Sequence, residues 1–116
     1  MKQPNHIDLI ELPSRTIEEL EASKKFFNQA FGWNFQVWGD DYADTKDSGL
    51  PGGLIADEGA RPSMPLTVIY VDDLETAYKK VADAGGAITK ETFSFPGGRR
   101  FHFKDPSGNE LAAWSE

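Results

Sequence analysis

The 116-residue sequence predicts an α+β fold made of two copies of a βαβββ module. Two helical segments carry clear start and stop signals, and short strand-like runs surround them in one order, repeated: strand, helix, three strands. The helices also echo one another, with Ala22-x-Lys24-Lys25 in the first against Ala77-x-Lys79-Lys80 in the second. Internal duplication accounts for both the order and the echo.

The elements follow in sequence. A strand over residues 6–12 opens the first module. Thr16-Ile17-Glu18-Glu19 then spells a capping box, in which the Thr16 hydroxyl and the Glu19 carboxylate each satisfy a free N–H. Ile17, Leu20, Phe27, Ala30 and Phe31 fall on one helical face, and Gly32 supplies the stop. Strands over 33–38, 42–45 (weak) and 53–56 complete the module, and "GARPSMP", residues 59–65, reads as a linker. The second module opens with a strand over 66–71. Its helix starts at Asp72 or Asp73, presents Leu74, Ala77, Tyr78 and Val81 on one face, and ends at Gly85-Gly86. Strands over 87–95, 99–104 and 109–114 follow, with "FPGG" and "DPSG" as turns. Asp105-Pro106-Ser107-Gly108 fits a type I turn, with Asp first, Pro fixing φ at the second place and Gly fourth. The expected organisation is one domain over 1–116, with modules at about 5–58 and 65–116.

Composition narrows the function. The chain is 39% apolar and 27% charged, which suits an ordinary globule rather than a disordered segment. With no cysteine there is no disulfide, thiolate metal site or thiol chemistry. No apolar run resembles a signal peptide or a membrane span, so a cytoplasmic protein with no membrane partner is expected. A net charge of −7, with Arg99-Arg100 as its one basic cluster, argues against nucleic acid.

In each module the helix covers one face of a small sheet and leaves the other free. Alternation turns Ile69 and Val71 toward the second helix and Leu66, Val68 and Tyr70 away from it. On the first strand it places Ile10 and Leu12 under the helix and Leu9 and Glu11 on the free face. Two free faces that curl into a cup would make a natural ligand site.

"KKFFNQAFGW" (24–33), "VDDLETAYKKVADAGG" (71–86) and "FKDPSGNELAAW" (103–114) together resemble the vicinal oxygen chelate superfamily of glyoxalase I, bleomycin-resistance proteins and extradiol dioxygenases. The resemblance implies two βαβββ modules forming an incomplete barrel, assembled as a homodimer. In the family's enzymes it also implies a divalent metal in the cup, held by His, Gln or Glu, that chelates two adjacent substrate oxygens. Carried over residue by residue, the closing-strand carboxylate falls on Ala112 and the fifth-strand histidine on Leu66. The first-strand ligand falls near Leu9, and the fourth around residues 53–56, where no ligand type occurs. The expectation is therefore no metal and no cofactor.

Glu11 and His102 are the candidate catalytic groups. Glu11 is a carboxylate on the free face, and His102 alternates with Phe101 and Phe103, so it faces the cup if those rings are core. The alternatives are a solvated or Arg-paired Glu11 and a His102 exposed on an edge strand. Trp38, Tyr42, Tyr70 and Trp114 are the candidate ligand-binding aromatics, against the alternative of core packing. Tyr42 lies in "GDDYADTKDSG", a polar loop or weak strand that could fold over the opening. Arg61, Arg99 and Arg100 could hold an anion or be surface charges, and His6 belongs to the chain's start. Two functions follow. One is a metal-free module binding a small, partly aromatic molecule. The other is an enzyme of the same superfamily, such as lactoylglutathione lyase or a dioxygenase. It would act through Glu11 and His102, or through ligands relocated to His6, Glu11, His102 or Glu110.

Overall fold

A computed structural model describes residues 2–116. The first module comprises β1 (His6–Pro13), α1 (Ile17–Phe31), β2 (Gln36–Trp38), β3 (Tyr42–Thr45) and β4 (Gly52–Ile55). The second comprises β5 (Leu66–Tyr70), α2 (Leu74–Asp83), β6 (Ala87–Phe95), β7 (Gly98–Lys104) and β8 (Glu110–Ser115). The α+β class and the doubled βαβββ order are as expected. The chain divides into two compact units, Leu9–Leu66 and Thr67–Glu116, the latter joined by the residues up to Asp8.

In the unit Leu9–Leu66 the strand order is β2-β3-β4-β1. The β2–β3 and β3–β4 pairs are antiparallel, while β1 runs parallel to β4. Successive strands joined by short turns can pair antiparallel; the parallel neighbour is reached through the helical crossover. Leu20 and Ala43, both fully buried, form the core with Leu54 and Ala56, and Leu12, Phe27 and Phe35 pack against it. Thr16 caps α1 by accepting the Glu19 N–H at 3.0 Å. The reciprocal half of the box differs from expectation: the Glu19 carboxylate accepts the N–H of Arg15 at 2.9 Å, and Arg15 Nη2 at 3.1 Å. These bonds hold the Glu19 carboxyl below its usual range. Gly32, at φ +76°, closes the helix with its N–H on the Asn28 carbonyl.

The buried stripe of α1 is narrower than its apolar sequence suggests. Ile17, Ala30 and Phe31 are exposed, as is Phe26. The sheet beneath is small, with three residues in β2 and four in each of β3 and β4, so it covers only the stretch around Leu20 and Phe27. The expected strand over 33–38 shortens to 36–38 for a related reason. Trp33 stacks on Phe27 with centroids 5.0 Å apart, which holds the segment against the helix end. Its backbone is satisfied by side chains: Asn28 donates to the Trp33 carbonyl and Asp47 accepts the Asn34 N–H. Arg61, in the presumed linker, is a clamp. Its Nη1 donates to the carbonyls of Ser14, Arg15 and Ala56, so its guanidinium serves the backbone rather than a ligand anion.

The second unit has the order β5-β8-β7-β6, with β5 parallel to β8 and the remaining pairs antiparallel. Val71, Leu74, Phe101 and Ala113 form its core under α2, flanked by Ile69, Tyr78, Val81 and Phe103. Asp73 caps α2 by accepting the Thr76 N–H. Arg99 pairs bidentately with Glu75 of α2, which assigns it to the helix side. The Asp105 turn forms as read: Gly108 N–H donates to the Asp105 carbonyl, and the carboxylate accepts the N–H groups of Ser107 and Asn109.

Strand β6 departs from simple alternation. Its register on β7 slips between Ile88 and Lys90 and again between Lys90 and Phe93. Ile88 packs with the core and the Glu91 carboxylate meets the Tyr78 hydroxyl, so both lie on the helix side. Lys90 and Phe93 instead pair with His102 and Arg100 of β7. The two bulges re-aim the strand and bring Phe93 to the face that carries His102.

The narrow stripe on α1 has a measurable consequence. Leu20→Ala should destabilise the protein by about 3 kcal/mol in urea unfolding, as expected for a leucine with no exposed surface. Phe31→Ala, 63% exposed, should change stability by less than about 1 kcal/mol.

Candidate functional site

The helix-free face of the second unit gathers polar and aromatic groups. His102 sits on β7, an interior strand, directly opposite Ala112 of β8 on one side and Lys90 of β6 on the other. Its side chain is not on an edge: the residue is 3% exposed, and Nε2 is buried with no hydrogen-bond partner among the described residues. The Phe93 ring lies 5.8 Å from the imidazole. Burial first, then the positive charges of Arg100 and Lys90, lower the His102 pKa to about 4, so the ring is neutral at pH 7. Ala112 is fully buried, and its methyl group is all that β8 sets opposite the imidazole.

Arg100, also buried, is paired in register with Trp114 and places its guanidinium 5.5 Å from the Phe93 ring and 5.9 Å from Phe95. Farther along the same face, Tyr70 and Trp114 meet edge to face at 5.2 Å. Each has a carboxylate on its polar handle: Trp114 Nε1 donates to Asp8 at 3.0 Å and the Tyr70 hydroxyl to Glu116 at 3.1 Å. The Glu116 hydrogen bond raises the Tyr70 pKa. Lys2 lies 5.4 Å from the Trp114 ring centroid and pairs with Glu116.

The helix-free face of the unit Leu9–Leu66 carries the other candidates. Glu11 is 3% exposed and stands beside Gly53 in the β1–β4 register. Tyr42 belongs to β3 rather than to a loop, and its ring lies over Gly53. A Cβ at residue 53 would come 2.7 Å from the phenol oxygen, so the missing side chain makes room for the ring. Trp38 pairs with Tyr42 from the three-residue β2 and is 53% exposed. Glu11 and His102 therefore lie in different units. His6 is exposed, with Nδ1 2.9 Å from the Pro4 carbonyl oxygen.

The family's metal does not fit these residues. The positions that should hold donors carry buried Leu66 and Ala112, at 1% and 0% exposure. Among the described residues no three His, Asp or Glu side chains stand together as a metal site would require. Of the relocated donors considered, Glu110 accepts a hydrogen bond from the Thr89 hydroxyl. Sequence reasoning missed Lys90, Phe93 and Phe95 as neighbours of His102 and Arg100, because alternation without bulges does not put Lys90 and the two Phe rings on one face.

His102 makes stability depend on pH. Its folded pKa of about 4 lies below the unfolded value near 6.5, so the unfolded chain takes up the proton first. The neutral form's full contribution, about 3 kcal/mol, is present above pH ~6.5 and is lost as pH falls toward ~4. Melting curves between pH 7 and 4.5 should show that loss, and His102→Gln should flatten it.

Comparison with known proteins agrees with the fold. The family profile of the Glyoxalase/Bleomycin resistance protein/Dioxygenase superfamily matches residues 4–113. The chain is 30% identical over 122 aligned positions to CFP32 of Mycobacterium bovis, a protein named as a candidate glyoxylase. The match covers 96% of this chain and 44% of CFP32, so the chain spans about half the length of that relative. Two solved structures share the fold. A superfamily member from Vibrio splendidus has a TM-score of 0.66 at 21% identity, covering 93% of this chain and 97% of its own. The Mn(II)-bound glyoxalase of Novosphingobium aromaticivorans has a TM-score of 0.65 at 18% identity, covering 99% of this chain and 40% of its own. With nearly its whole length matched by one profile, the chain belongs to the Glyoxalase/Bleomycin resistance protein/Dioxygenase superfamily.

Proposed function

We propose that this chain is a ligand-binding member of the superfamily that takes up a small, partly aromatic molecule on its helix-free sheet faces without the family's metal. The observation that carries the reading is Ala112. The position where the resemblance calls for a carboxylate holds a buried methyl group beside a neutral histidine and within an aromatic wall. Loss of the donors removes the Lewis acid, while Phe93, Phe95, Tyr70 and Trp114 keep the apolar surface that small ligands need.

The enzymatic alternative is weaker on the same geometry. A general base works best with a pKa near the working pH, and His102, at about 4, is unprotonated but feebly basic at pH 7. The glyoxylase name of CFP32 belongs to a protein more than twice as long, and its activity is not carried over here. The proposal includes a cytoplasmic homodimer, the assembly the family resemblance implies. No described helix is long and apolar enough to cross a membrane.

Metal analysis of tag-free protein purified without chelators tests the reading. Zn, Ni, Fe and Mn should stay far below one equivalent per chain, and a Mn titration should show no saturable site. Near-stoichiometric tight metal would overturn the reading and direct work to glyoxalase and dioxygenase assays.

A further inference from the structure

We infer that the Tyr70–Trp114 end of the helix-free face is a subsite for an organic ammonium group, which the Lys2 side chain occupies as an internal stand-in. The inference rests on the ligand-binding reading above and adds a cationic group to the ligand. Tyr70 and Trp114 stand side by side across the β5–β8 pair and meet edge to face at 5.2 Å. The Lys2 ammonium lies 5.4 Å from the Trp114 ring centroid and 5.9 Å from that of Tyr70. Both distances fall inside the ~6 Å range over which an aromatic ring attracts a cation. Rings that share one ammonium are the means by which choline-like ligands are recognised.

The groups around the two rings favour positive charge. Asp8 takes the Trp114 indole N–H at 3.0 Å and Glu116 takes the Tyr70 hydroxyl at 3.1 Å, so a carboxylate stands at the rim of each ring. Glu116 also lies 3.7 Å from the Lys2 ammonium. With the polar handles engaged, the rings offer their π-surfaces to a further group. Arg100 lies against Phe93 and Phe95, which leaves Phe95, 5.9 Å from Trp114, outside the receiving pair. Backbone bonds, rather than the Lys2 side chain, hold the segment ahead of β1 in place. Asn5, at φ +66°, donates its N–H to the Tyr70 carbonyl at 2.8 Å, and the His6 N–H donates to the Gln3 carbonyl at 3.3 Å. The Lys2 side chain, 40% exposed, can therefore leave the rings while the segment stays, and an incoming ammonium would inherit its contacts.

The test compares choline with its neutral isostere 3,3-dimethylbutan-1-ol, and adds phenol as a neutral aromatic probe. Binding to the full chain is followed by the indole N–H resonances, with Trp114→Phe identifying the Trp114 signal. Choline should bind at least about fivefold tighter than the alcohol and move the Trp114 signal rather than those of Trp33 and Trp38. Lys2→Gln should tighten choline binding about threefold or more, because it removes the internal competitor. Lys25→Gln makes the same charge change at an exposed position of α1 and should leave the affinity unaltered. Equal binding of choline and the alcohol, or choline shifts that spare Trp114, would overturn the ammonium subsite. No gain in Lys2→Gln, or an equal gain in Lys25→Gln, would overturn the stand-in. Binding of phenol but not of choline, in the wild type and in Lys2→Gln, would overturn the inference and leave the ligand-binding reading standing. Failure of all three probes at tens of millimolar would overturn the inference together with the reading on which it rests.

Discussion

A small sheet with one helix has two faces and one cover, and most features of this protein follow from that shortage. Under α2 the solution is apolar: Leu74, Phe101 and Ala113 exclude water with nothing left to satisfy. The opposite face is different. It buries His102 and Arg100 and lines them with rings. A buried imidazole nitrogen without a hydrogen-bond partner among the described residues, as His102 Nε2 is, costs free energy, so this face is expensive to keep for stability alone. That expense is the physical ground for reading the face as functional.

Electrostatics sharpen the contrast between the two ends of this face. Near Trp114 and Tyr70 the carboxylates of Asp8 and Glu116 take the polar handles, and Lys2 approaches the rings from outside. Near Phe93 the Lys90 ammonium and the Arg100 guanidinium lie against the ring, and the histidine is held neutral.

How much of this was legible in the sequence depends on whether alternation held. Where a strand pairs without interruption, parity serves: with Phe101 and Phe103 packed under the helix, alternation puts His102 on the opposite face, where β8 pairs it with Ala112. The turn chemistry of Asp105 and the caps at Thr16 and Asp73 were also readable, because each depends on a few adjacent residues. Parity failed on β6, where two register shifts leave no plain sequence mark. It failed differently on α1, whose apolar residues outnumber the places the small sheet can cover. The clamp made by Arg61 was hidden because its acceptors are backbone carbonyls as many as 47 positions away. That Leu66 and Ala112 are not metal donors is a matter of residue type, legible once the resemblance assigns the family's ligand positions to them.

The bulges of β6 have an effect beyond the face they re-aim. This strand ends its sheet, so its outer edge offers nine residues of backbone to any other strand that approaches. A regular edge of that length is a template on which identical chains can zip together without limit. Two local twists break the template into pieces too short and too misaligned to be copied. The same irregularity that carries Phe93 to His102 therefore guards the protein against polymerising through its longest strand, and steers any pairing of copies to other surfaces.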